Sequence, residues 1–492
     1  MDLGNIESLA YSVPELLLAV AVVAILMLDL FVKRKDVLGV IALFVIVLAT
    51  LAAKAQGGGD QGWLFNRMVA LDSFAVFFKV ILGLASFGTI WMSLGSKELE
   101  NEHPGEYYVL VLASTLGMFY MASATNLLMA YLALEFVSQT SYILSGFLRG
   151  NRRSSEAALK YLIYGGVASA AMVYGMSLLF GLTGSLDYTI LGDQLSAAGG
   201  NGPIVFIAIA LMLAGFGYKI AMVPFHMWAP DVYEGAPLPI TAFLAVGSKA
   251  AGIALLVRFF YPGISEFNGD GTWTALEGVD WPSLMILASM ATMTLGNLAA
   301  LRQDNVKRLL AYSSVAHAGY MLMGFVVLSD DGLTAMLFYT VVYYLMNLGA
   351  FMVLLMVLNN SGREDLEGFR GLAWRGGALP AAAMAIFLFS LAGLPPFAGF
   401  IGKFYLFAAV VQEEMWLLAV VGGLNSVIAL YYYARIVKAM YLENPVDGDP
   451  IMTSDLPNSI LIGVMVTGTV VFGVYWAPVV EFAEQSIQFW GR

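Results

Sequence analysis

Five ionisable side chains of this 492-residue sequence lie inside long apolar stretches: Glu135, Lys219, Lys249, His317 and Lys403. An ionisable residue within a membrane span is costly unless it is paired or hydrated, so each of the five is a candidate functional residue. Burial disfavours the charged form of such a group, which brings acids and bases closer in proton affinity and eases proton exchange between them. Taken in chain order, the five residues predict a proton relay that needs no cofactor in this chain.

The composition indicates the membrane setting that such a relay requires. Apolar residues make up 60% of the chain and charged residues 12%, compared with about 45–50% and about 25% in soluble domains. We therefore expect one membrane-embedded bundle rather than several soluble domains. The sequence has no basic stripe of the kind that binds nucleic acid. It also has no cysteine, which excludes disulfides, thiolate-bound clusters and a cysteine nucleophile.

Apolar runs separated by short polar breaks predict about fourteen transmembrane helices, since one span takes about 20 residues. Backbone polar groups in lipid need partners within their own segment, so each run should be helical. The predicted spans are 12–32, 37–53, 70–94, 107–122, 126–148, 157–181, 204–223, 238–260, 283–301, 309–328, 333–358, 380–408, 417–440 and 457–480. The predicted fold class is an all-α polytopic membrane protein.

The lysines and arginines predict the orientation of the bundle. With the N-terminus outside, fifteen of them fall at the inner ends of spans and four at the outer ends, namely Lys54, Arg67, Arg258 and Arg492. Positive residues favour the cytoplasmic side, so both termini are predicted to lie on the outer side. The first segment lacks the basic region of a signal peptide, which favours a retained first helix.

Two spans contain sequences that break helices. The seventh span runs into Pro224, Pro230, Pro237 and Pro239, and the twelfth contains Pro395–Pro396 between glycines. Proline lacks a backbone donor and clashes with the preceding helical turn, so we predict non-helical backbone at Pro224 and around residues 394–396. Paired broken helices are typical of transporters built from repeats, with polar sites near the membrane midplane.

Four segments resemble the antiporter-like subunits of respiratory complex I. They are RRSSEAALKYLIYGG (152–166), HMWAPDVYEGAPLP (226–239), DNVKRLLAYSSVAHAGY (304–320) and LAGLPPFAGFIGKF (391–404). Within that family, SSEAALKY and the chain length are most similar to subunit N of bacterial NADH–quinone oxidoreductases. The resemblance implies fourteen helices, of which helices 4–8 and 9–13 form two inverted five-helix repeats around broken helices 7 and 12.

The resemblance also implies a division of the chain and a role for each candidate residue. The implied parts are 1–106 (helices 1–3), 107–260 (first repeat), 283–440 (second repeat) and 441–492 (helix 14). The acid on helix 5 matches Glu135, its partner lysine on helix 7 matches Lys219, the connecting lysine on helix 8 matches Lys249, and the terminal lysine on helix 12 matches Lys403. His317 falls where the family often places a polar residue.

The function implied by the resemblance is that of a non-redox, proton-translocating subunit of an ion-pumping NADH–quinone oxidoreductase in the bacterial inner membrane. The expected partners are the lipid bilayer, a neighbouring antiporter-like subunit and small membrane subunits. Flavin, iron–sulfur clusters and quinone are expected in partner subunits rather than in this chain. The ion (proton or sodium), the quinone and the electron donor stay open.

Several residues also have a purely structural interpretation. Lys79 and Lys160 are near enough to helix ends to reach the membrane interface by extending their side chains. Asp231 and Glu234 are interpreted as solvated loop acids, and tyrosines such as those at 431–433 as packing residues. A structural ion pair between Glu135 and Lys219 is the alternative to a relay, and a histidine such as His226 or His317 is often only a satisfied polar group.

Three other functions stay open at this point. A subunit of a multi-subunit cation/proton antiporter would share the broken helices and buried lysines. A stand-alone secondary solute transporter would share the membrane fold, and a passive spacer in a larger assembly would need neither proton transfer nor substrate binding. The proteins that co-purify with the chain distinguish the first two alternatives from the complex I function. Replacement of Lys219 by alanine distinguishes the spacer, which should tolerate the change without loss of pumping.

Overall fold

The computed structural model describes residues 1–100, 102, 104–197, 202–276, 278, 280–446, 450–452, 456–487 and 489, and these are mostly helical. The helices of the N-terminal half are α1 (Asn5–Ser8), α2 (Val13–Asp29), α3 (Asp36–Ala55), α4 (Ser73–Leu94), α5 (Pro104–Ser123), α6 (Leu127–Ser145), α7 (Arg152–Thr183), α8 (Tyr188–Ala197), α9 (Gly202–Ile220), α10 (Trp228–Gly235), α11 (Leu238–Phe243) and α12 (Lys249–Ile264). Those of the C-terminal half are α13 (Trp281–Ala300), α14 (Val306–Val326), α15 (Asp330–Ser361), α16 (Leu366–Phe369), α17 (Ala378–Ala392), α18 (Ala398–Gln412), α19 (Trp416–Leu442), α20 (Leu456–Val474) and α21 (Ala477–Ser486).

Shorter elements complete the described chain. Single 3₁₀ turns cover Leu9–Tyr11, Gln56–Gly58 and Lys97–Leu99, and a π-helical turn at Leu244–Ser248 joins α11 to α12. Two antiparallel hairpins pair β1 (Gly62–Leu64) with β2 (Val69–Leu71) and β3 (Ser265–Phe267) with β4 (Trp273–Ala275).

Each predicted span coincides with helix, and the all-α membrane fold is confirmed. In the described residues, 11 helices are long and apolar enough to cross a membrane, or 12 if the bent pair Asn5–Tyr11 and Val13–Asp29 is one span. The other two predicted spans are α5, which is less apolar, and the pair of shorter helices α17 and α18. The total of fourteen therefore stays a prediction.

Three spans form the interior of the bundle. In their most apolar windows, the continuous segment Leu238–Ile264 is 100% buried, α14 is 94% buried and α15 is 89% buried, whereas α3, α19 and α20 are each 33% buried. A polar side chain in the middle of one of these helices must therefore find its partner inside the protein, because neighbouring helices enclose it.

Both predicted helix breaks are confirmed. The backbone between α9 and α10, which includes Pro224, is non-helical, and so is the backbone between α17 and α18, which includes Leu394–Pro396. Gly393 ends α17 with a φ of 88°, a left-handed conformation that glycine adopts without a steric penalty. The peptide bonds preceding Pro224 and Pro396 are cis.

Two buried ion pairs hold the N-terminal helices, one between α2 and α4 and one between the start of α4 and α12. Arg258 of α12 donates to both carboxylate oxygens of Asp72, at 3.0 and 2.5 Å, and the two side chains are at most 2% exposed. Arg258 was assigned to an outer helix end from the sequence, but its side chain is enclosed in the protein. Lys79 lies 2.6 Å from Glu15 with both side chains at most 4% exposed, so the interpretation of Lys79 as an interfacial lysine is wrong.

A cluster of paired charges holds the short helix α10. Asp231 accepts hydrogen bonds from Lys160 of α7 at 2.6 Å and from Arg308 of α14 at 2.7 Å, and Arg308 also donates to Glu234 at 2.7 Å. The interpretation of Asp231 and Glu234 as solvated loop acids is therefore wrong. Partial burial raises the pKa of Asp231, but Lys160 and Arg308 outweigh that effect and hold the pKa below its usual value.

Candidate functional site

Lys219 lies on the last turn of α9, immediately before the first break, and is 2% exposed. Its Nζ donates to Ser138 Oγ of α6 at 3.2 Å. Gly252 of α12 leaves room for the Lys219 side chain, because a Cβ at residue 252 would lie 3.2 Å from Lys219 Cγ. A neutral hydroxyl is thus the direct partner of this ammonium in the described chain.

Glu135 lies on α6, one helical turn before Ser138, and is half-buried. Its carboxylate accepts hydrogen bonds from Ser169 of α7 and, at 3.3 Å, from Gln139. None of the ion pairs among the described residues joins Glu135 to Lys219, although the carboxylate is close enough to attract the ammonium electrostatically. Direct contact between the two is therefore not observed, and their functional coupling stays a prediction.

Lys249 begins α12 directly after the π-helical turn and is 2% exposed. Its Nζ donates to the backbone oxygen and to Oγ of Ser314 on α14, both at 2.5 Å. π-Helical turns are often found at functional sites, because one extra residue in the turn redirects the side chains that follow. Here the turn precedes a lysine whose contacts in the described chain are neutral oxygens.

His317 lies in the middle of α14, is 1% exposed and is held by two phenols. Its Nδ1 is 2.6 Å from the hydroxyl of Tyr339 on α15, and its Nε2 is 3.1 Å from the hydroxyl of Tyr433 on α19. The Tyr433 hydroxyl lies 2.5 Å from Ser313 Oγ, and the ring of Tyr343 is 5.2 Å from the imidazole. The imidazole therefore connects three helices.

Lys403 lies on the second turn of α18, just after the second break, and is 4% exposed. Its Nζ donates to the Ala392 oxygen at 3.1 Å and to Ser426 Oγ at 3.3 Å. The ammonium also lies 4.4 Å from the ring centroid of Tyr320, whose hydroxyl is 3.0 Å from Ser426 Oγ. A carbonyl, a hydroxyl and an aromatic face together stabilise this cation.

Helix α14 brings three of the five predicted residues to one polar stripe. Lys249 contacts α14 at Ser314, His317 belongs to it, and Lys403 contacts its Tyr320. Lys219 reaches α6 instead, and Glu135 lies toward the outside of the bundle beside the exposed side chains of Leu132 and Phe136. Direct hydrogen bonds do not join Lys219 to Lys249, or the His317 group to the Lys403 group, among the described residues.

For several polar residues in this stripe, the sequence did not indicate that they contact the candidate residues. Tyr433 was interpreted as a packing residue, but its hydroxyl contacts both His317 and Ser313. Tyr339 and Ser426 come from other helices and are distant in sequence from the groups that they contact. Tyr320 and Ser314, in contrast, flank His317 in the sequence. His226, which lies in the first break, is half-buried, and its Nδ1 makes no hydrogen bond to the described residues.

The described residues contain no group of three or more histidine, cysteine, aspartate or glutamate side chains that could hold a metal ion. The chemistry that this arrangement supports is proton exchange among lysine, imidazole, phenol and serine groups. Each of these groups can donate a proton and, in its neutral form, accept one.

Comparison with known proteins identifies the family. A family model described as NADH:quinone oxidoreductase/Mrp antiporter, transmembrane, matches residues 124–429. NADH-quinone oxidoreductase subunit N from Anaeromyxobacter sp. (strain Fw109-5) is 44% identical, with 98% of this chain and 97% of that protein covered. The chain belongs to the NADH-quinone oxidoreductase subunit N family. The resemblance seen in the four sequence segments is thereby confirmed.

A second relative and a solved structure support this family assignment. Subunit N 2 from Sorangium cellulosum (strain So ce56) is 47% identical over 99% of this chain and 98% of its own length. A chain in the solved structure of respiratory complex I from Thermus thermophilus with bound aureothin is 31% identical, with a TM-score of 0.79 over 96% of this chain and 99% of that one. The family likeness therefore extends over almost the whole chain.

Proposed function

We propose that this chain is a proton-translocating membrane-arm subunit of a complex I-type NADH–quinone oxidoreductase in a bacterial inner membrane. The observation that carries the proposal is the set of buried lysines on or beside broken helices, each bonded to neutral oxygens, in a chain 44% identical to a subunit N along its length. Neighbouring membrane-arm subunits are its partners. Both termini lie on the outer side, and residues 107–260 and 283–440 form the inverted repeats.

In the proposed relay, a proton passes from the Glu135–Lys219 region through Lys249 to His317 and Lys403. Glu135 attracts the ammonium of Lys219 without a direct ion pair, so a small movement of α6 or α9 changes that attraction. Lys249 transfers a proton along the polar side of α14, where Ser314 and His317 can accept it. No residue of the relay undergoes oxidation or reduction.

Electron transfer takes place elsewhere in the assembly. The chain contains no cysteine to hold an iron–sulfur cluster, so we place flavin, iron–sulfur clusters and quinone in partner subunits. The contribution of this chain to the enzyme is to convert conformational or electrostatic changes at its ends into proton transfer.

Affinity purification of the tagged chain from native membranes tests the assembly. We expect flavin- and iron–sulfur-containing partners that oxidise NADH. The family model also covers Mrp antiporters, and recovery of membrane partners alone would favour a cation/proton antiporter. Recovery of the chain without partners would favour a stand-alone solute transporter.

Proton uptake per NADH oxidised, measured in vesicles that contain the whole complex, tests the relay. We expect Lys219→Ala to lose pumping, while Lys438→Ala, whose side chain is 64% exposed, keeps it. We also expect Lys249→Arg to block transfer, because the guanidinium stays charged. If both relay variants assemble and pump at the wild-type ratio, the lysines are structural and the chain is a passive spacer.

A further inference from the structure

A second buried acid–base pair lies outside the five relay residues. Glu15 on the first turn of α2 is 2.6 Å from Lys79 on the second turn of α4, and both side chains are at most 4% exposed. Removing two charges from water can cost more than their attraction returns, so a buried ion pair is weak evidence of a stabilising role. Ionisable residues enclosed in a membrane bundle are instead candidates for proton exchange.

One face of α4 leads from this pair toward the other end of the helix. After Lys79 the face continues through positions 83, 86, 89 and 93, which are three or four residues apart and so lie one above another. Ser86, Thr89 and Ser93 place buried hydroxyls on it. At position 83 a glycine makes room for Thr50 of α3, because a Cβ there would overlap the Thr50 hydroxyl. Helical turns are about 5.4 Å apart, so each turn between Lys79 and Ser93 has a hydroxyl.

Helix α5 adds a second hydroxyl at two of these turns. Thr115 Oγ1 lies 2.7 Å from Ser86 Oγ, and the phenol oxygen of Tyr107 lies 2.7 Å from Ser93 Oγ. Ser86 and Thr115 each also have a carbonyl oxygen of their own helix within hydrogen-bonding distance, so each proton has two alternative acceptors. Hydroxyls that can exchange donor and acceptor roles are suited to passing a proton. We call this set the hydroxyl line: Thr50, Ser86, Thr89, Ser93, Tyr107 and Thr115.

The far end of the hydroxyl line meets a cavity at the inner surface. Ser93 and Tyr107 line this cavity of about 60 Å³ together with Asp36 and Glu100, whose side chains are exposed. In the proposed orientation this end of α4 faces the inner side of the membrane. Exposed carboxylates raise the local concentration of cations, protons included. The inner end of the line is therefore placed to receive protons.

The acid–base pair lies near the opposite end of the bundle. Glu15 is the third residue of α2 and Lys79 the seventh of α4, and both helices begin on the outer side in the proposed orientation. The phenol of Tyr120 on α5 is near enough for the charge of Glu15 to act on it, and this phenol is partly exposed. Glu15 is therefore the member of the pair that is placed to release a proton to the outer side.

We propose that Glu15 and Lys79 form a second proton-exchange site, reached from the inner side along the hydroxyl line and separate from the relay of Lys219, Lys249 and Lys403. Lys79 transfers a proton to Glu15, which leaves an amine and a carboxylic acid. Glu15 then releases that proton toward the outer side, and the amine takes up the next one from the hydroxyl line. Each cycle restores the ion pair and moves one proton.

The ion pair also prevents free conduction. Attraction between the two charges favours the paired state at rest, so the proton stays on Lys79 until the working complex disturbs the pair. This inference rests on the proposed function, in which the whole complex drives protons across the membrane.

The first experiment removes both charges of the pair in vesicles that contain the whole complex. Electron transfer and proton uptake are followed together, and assembly is checked by native gel. Replacing a buried ion pair by uncharged side chains of similar volume is often neutral for stability, so Glu15→Gln combined with Lys79→Met should assemble and oxidise NADH. We expect this double variant to take up fewer protons per NADH oxidised than wild type. The wild-type ratio would overturn the proposal.

The other buried ion pair of α4 provides the matched control. Asp72 precedes the first residue of α4 and binds Arg258, and the hydroxyl line does not include either residue. Asp72→Asn combined with Arg258→Met should therefore keep the wild-type ratio of protons to NADH. An equal loss in both double variants would assign the effect to the packing of α4 and would overturn proton exchange at Glu15 and Lys79.

A further variant interrupts the hydroxyl line without removing a charge. Ser86→Ala combined with Thr115→Val deletes the middle pair of hydroxyls and should lower the ratio as the loss of the ion pair does. Thr469→Val on α20 is the control, because this buried hydroxyl bonds to the Met465 oxygen of its own helix and should be dispensable. A wild-type ratio in the assembled Ser86→Ala, Thr115→Val complex would overturn the route. This variant keeps the test decisive if the ion-pair variant fails to assemble.

Failure of this inference is distinguishable from failure of the proposed function. If the relay operates and the second site does not, Lys219→Ala loses pumping while Glu15→Gln combined with Lys79→Met pumps at the wild-type ratio. If the chain moves no protons, both variants pump normally.

Discussion

The two broken helices carry a buried lysine in different surroundings. Lys219 precedes its gap on the last turn of α9, and Glu135 on a neighbouring helix attracts its ammonium. Lys403 follows its gap on α18, and its partners among the described residues are a carbonyl, a hydroxyl and a tyrosine ring. A nearby acid gives the first lysine a charge partner that can be moved, whereas the second lysine depends on fixed dipoles.

The segments that follow the two gaps are also held differently. The short helix α10 is held by ion pairs around Asp231. The second break is held by close backbone packing: Ser390 Oγ accepts the Gly399 N–H at 3.0 Å, and Gly473 of α20 lies against the Pro396 oxygen. Ion pairs between partly exposed side chains therefore hold the segment after the first break, whereas glycines that let two backbones approach closely hold the second.

The largest expected effect concerns the packing at the second break. A Cβ at Gly473 would lie 1.9 Å from the Pro396 oxygen, so Gly473→Ala should destabilise the subunit by about 2–3 kcal/mol through overpacking. The thermal inactivation midpoint of the purified complex measures this. Gly463→Ala on the same helix is the control, since nothing lies within 4 Å of its Cβ position. Equal midpoints for the two variants would contradict the packing argument.

An intermediate effect is expected at the first break. Asp231→Asn removes the charge that pairs with Lys160 and Arg308, and partial exposure of all three limits the loss to about 1 kcal/mol. Because the folded-state pKa of Asp231 is lowered, its contribution is complete above the usual value of about 3.9 and is lost as the pH falls through the folded-state value. High salt should also reduce the difference from wild type.

Thermal inactivation midpoints of wild type and Asp231→Asn, measured at neutral and acidic pH, check this expectation. Glu156→Gln is the matched control, because Glu156 contacts the same Lys160 but is 62% exposed, and its loss should change little. A difference between wild type and Asp231→Asn that grows as the pH falls would show that the sign of the effect is wrong.

The smallest expected effects come from replacing, by alanine, the serine that contacts each lysine. Ser138→Ala removes the hydroxyl that contacts Lys219, and Ser426→Ala removes the one that contacts both Lys403 and Tyr320. We expect proton pumping to fall about threefold for Ser426→Ala and less for Ser138→Ala, since Glu135 still attracts Lys219. Proton uptake in vesicles measures both, and a larger loss for Ser138→Ala would reverse the comparison.

Much of the candidate site followed from polarity alone. Lys249 and His317 were predicted because a charge or an imidazole in an apolar span is costly unless it is paired or hydrated. Pro224 indicated its break because proline lacks a backbone donor and clashes with the preceding helical turn. The acids at Asp231 and Glu234 were misinterpreted, because the cations that pair with them come from α7 and α14. Sequence separation conceals such pairs, and only folding brings them together.

The sequence by itself determined the all-α membrane fold, the two breaks and the identities of Lys219, Lys249 and Lys403. These depend on hydropathy, proline geometry and the cost of burying a charge, which are local properties. Only the tertiary structure decided that Tyr339 and Tyr433 hold His317, that Arg258 is buried against Asp72, and that Glu135 and Lys219 do not touch. Hydrogen bonds and ion pairs act over a few ångströms, so they depend on which helix faces meet. The sequence of one helix does not determine which face of another helix packs against it.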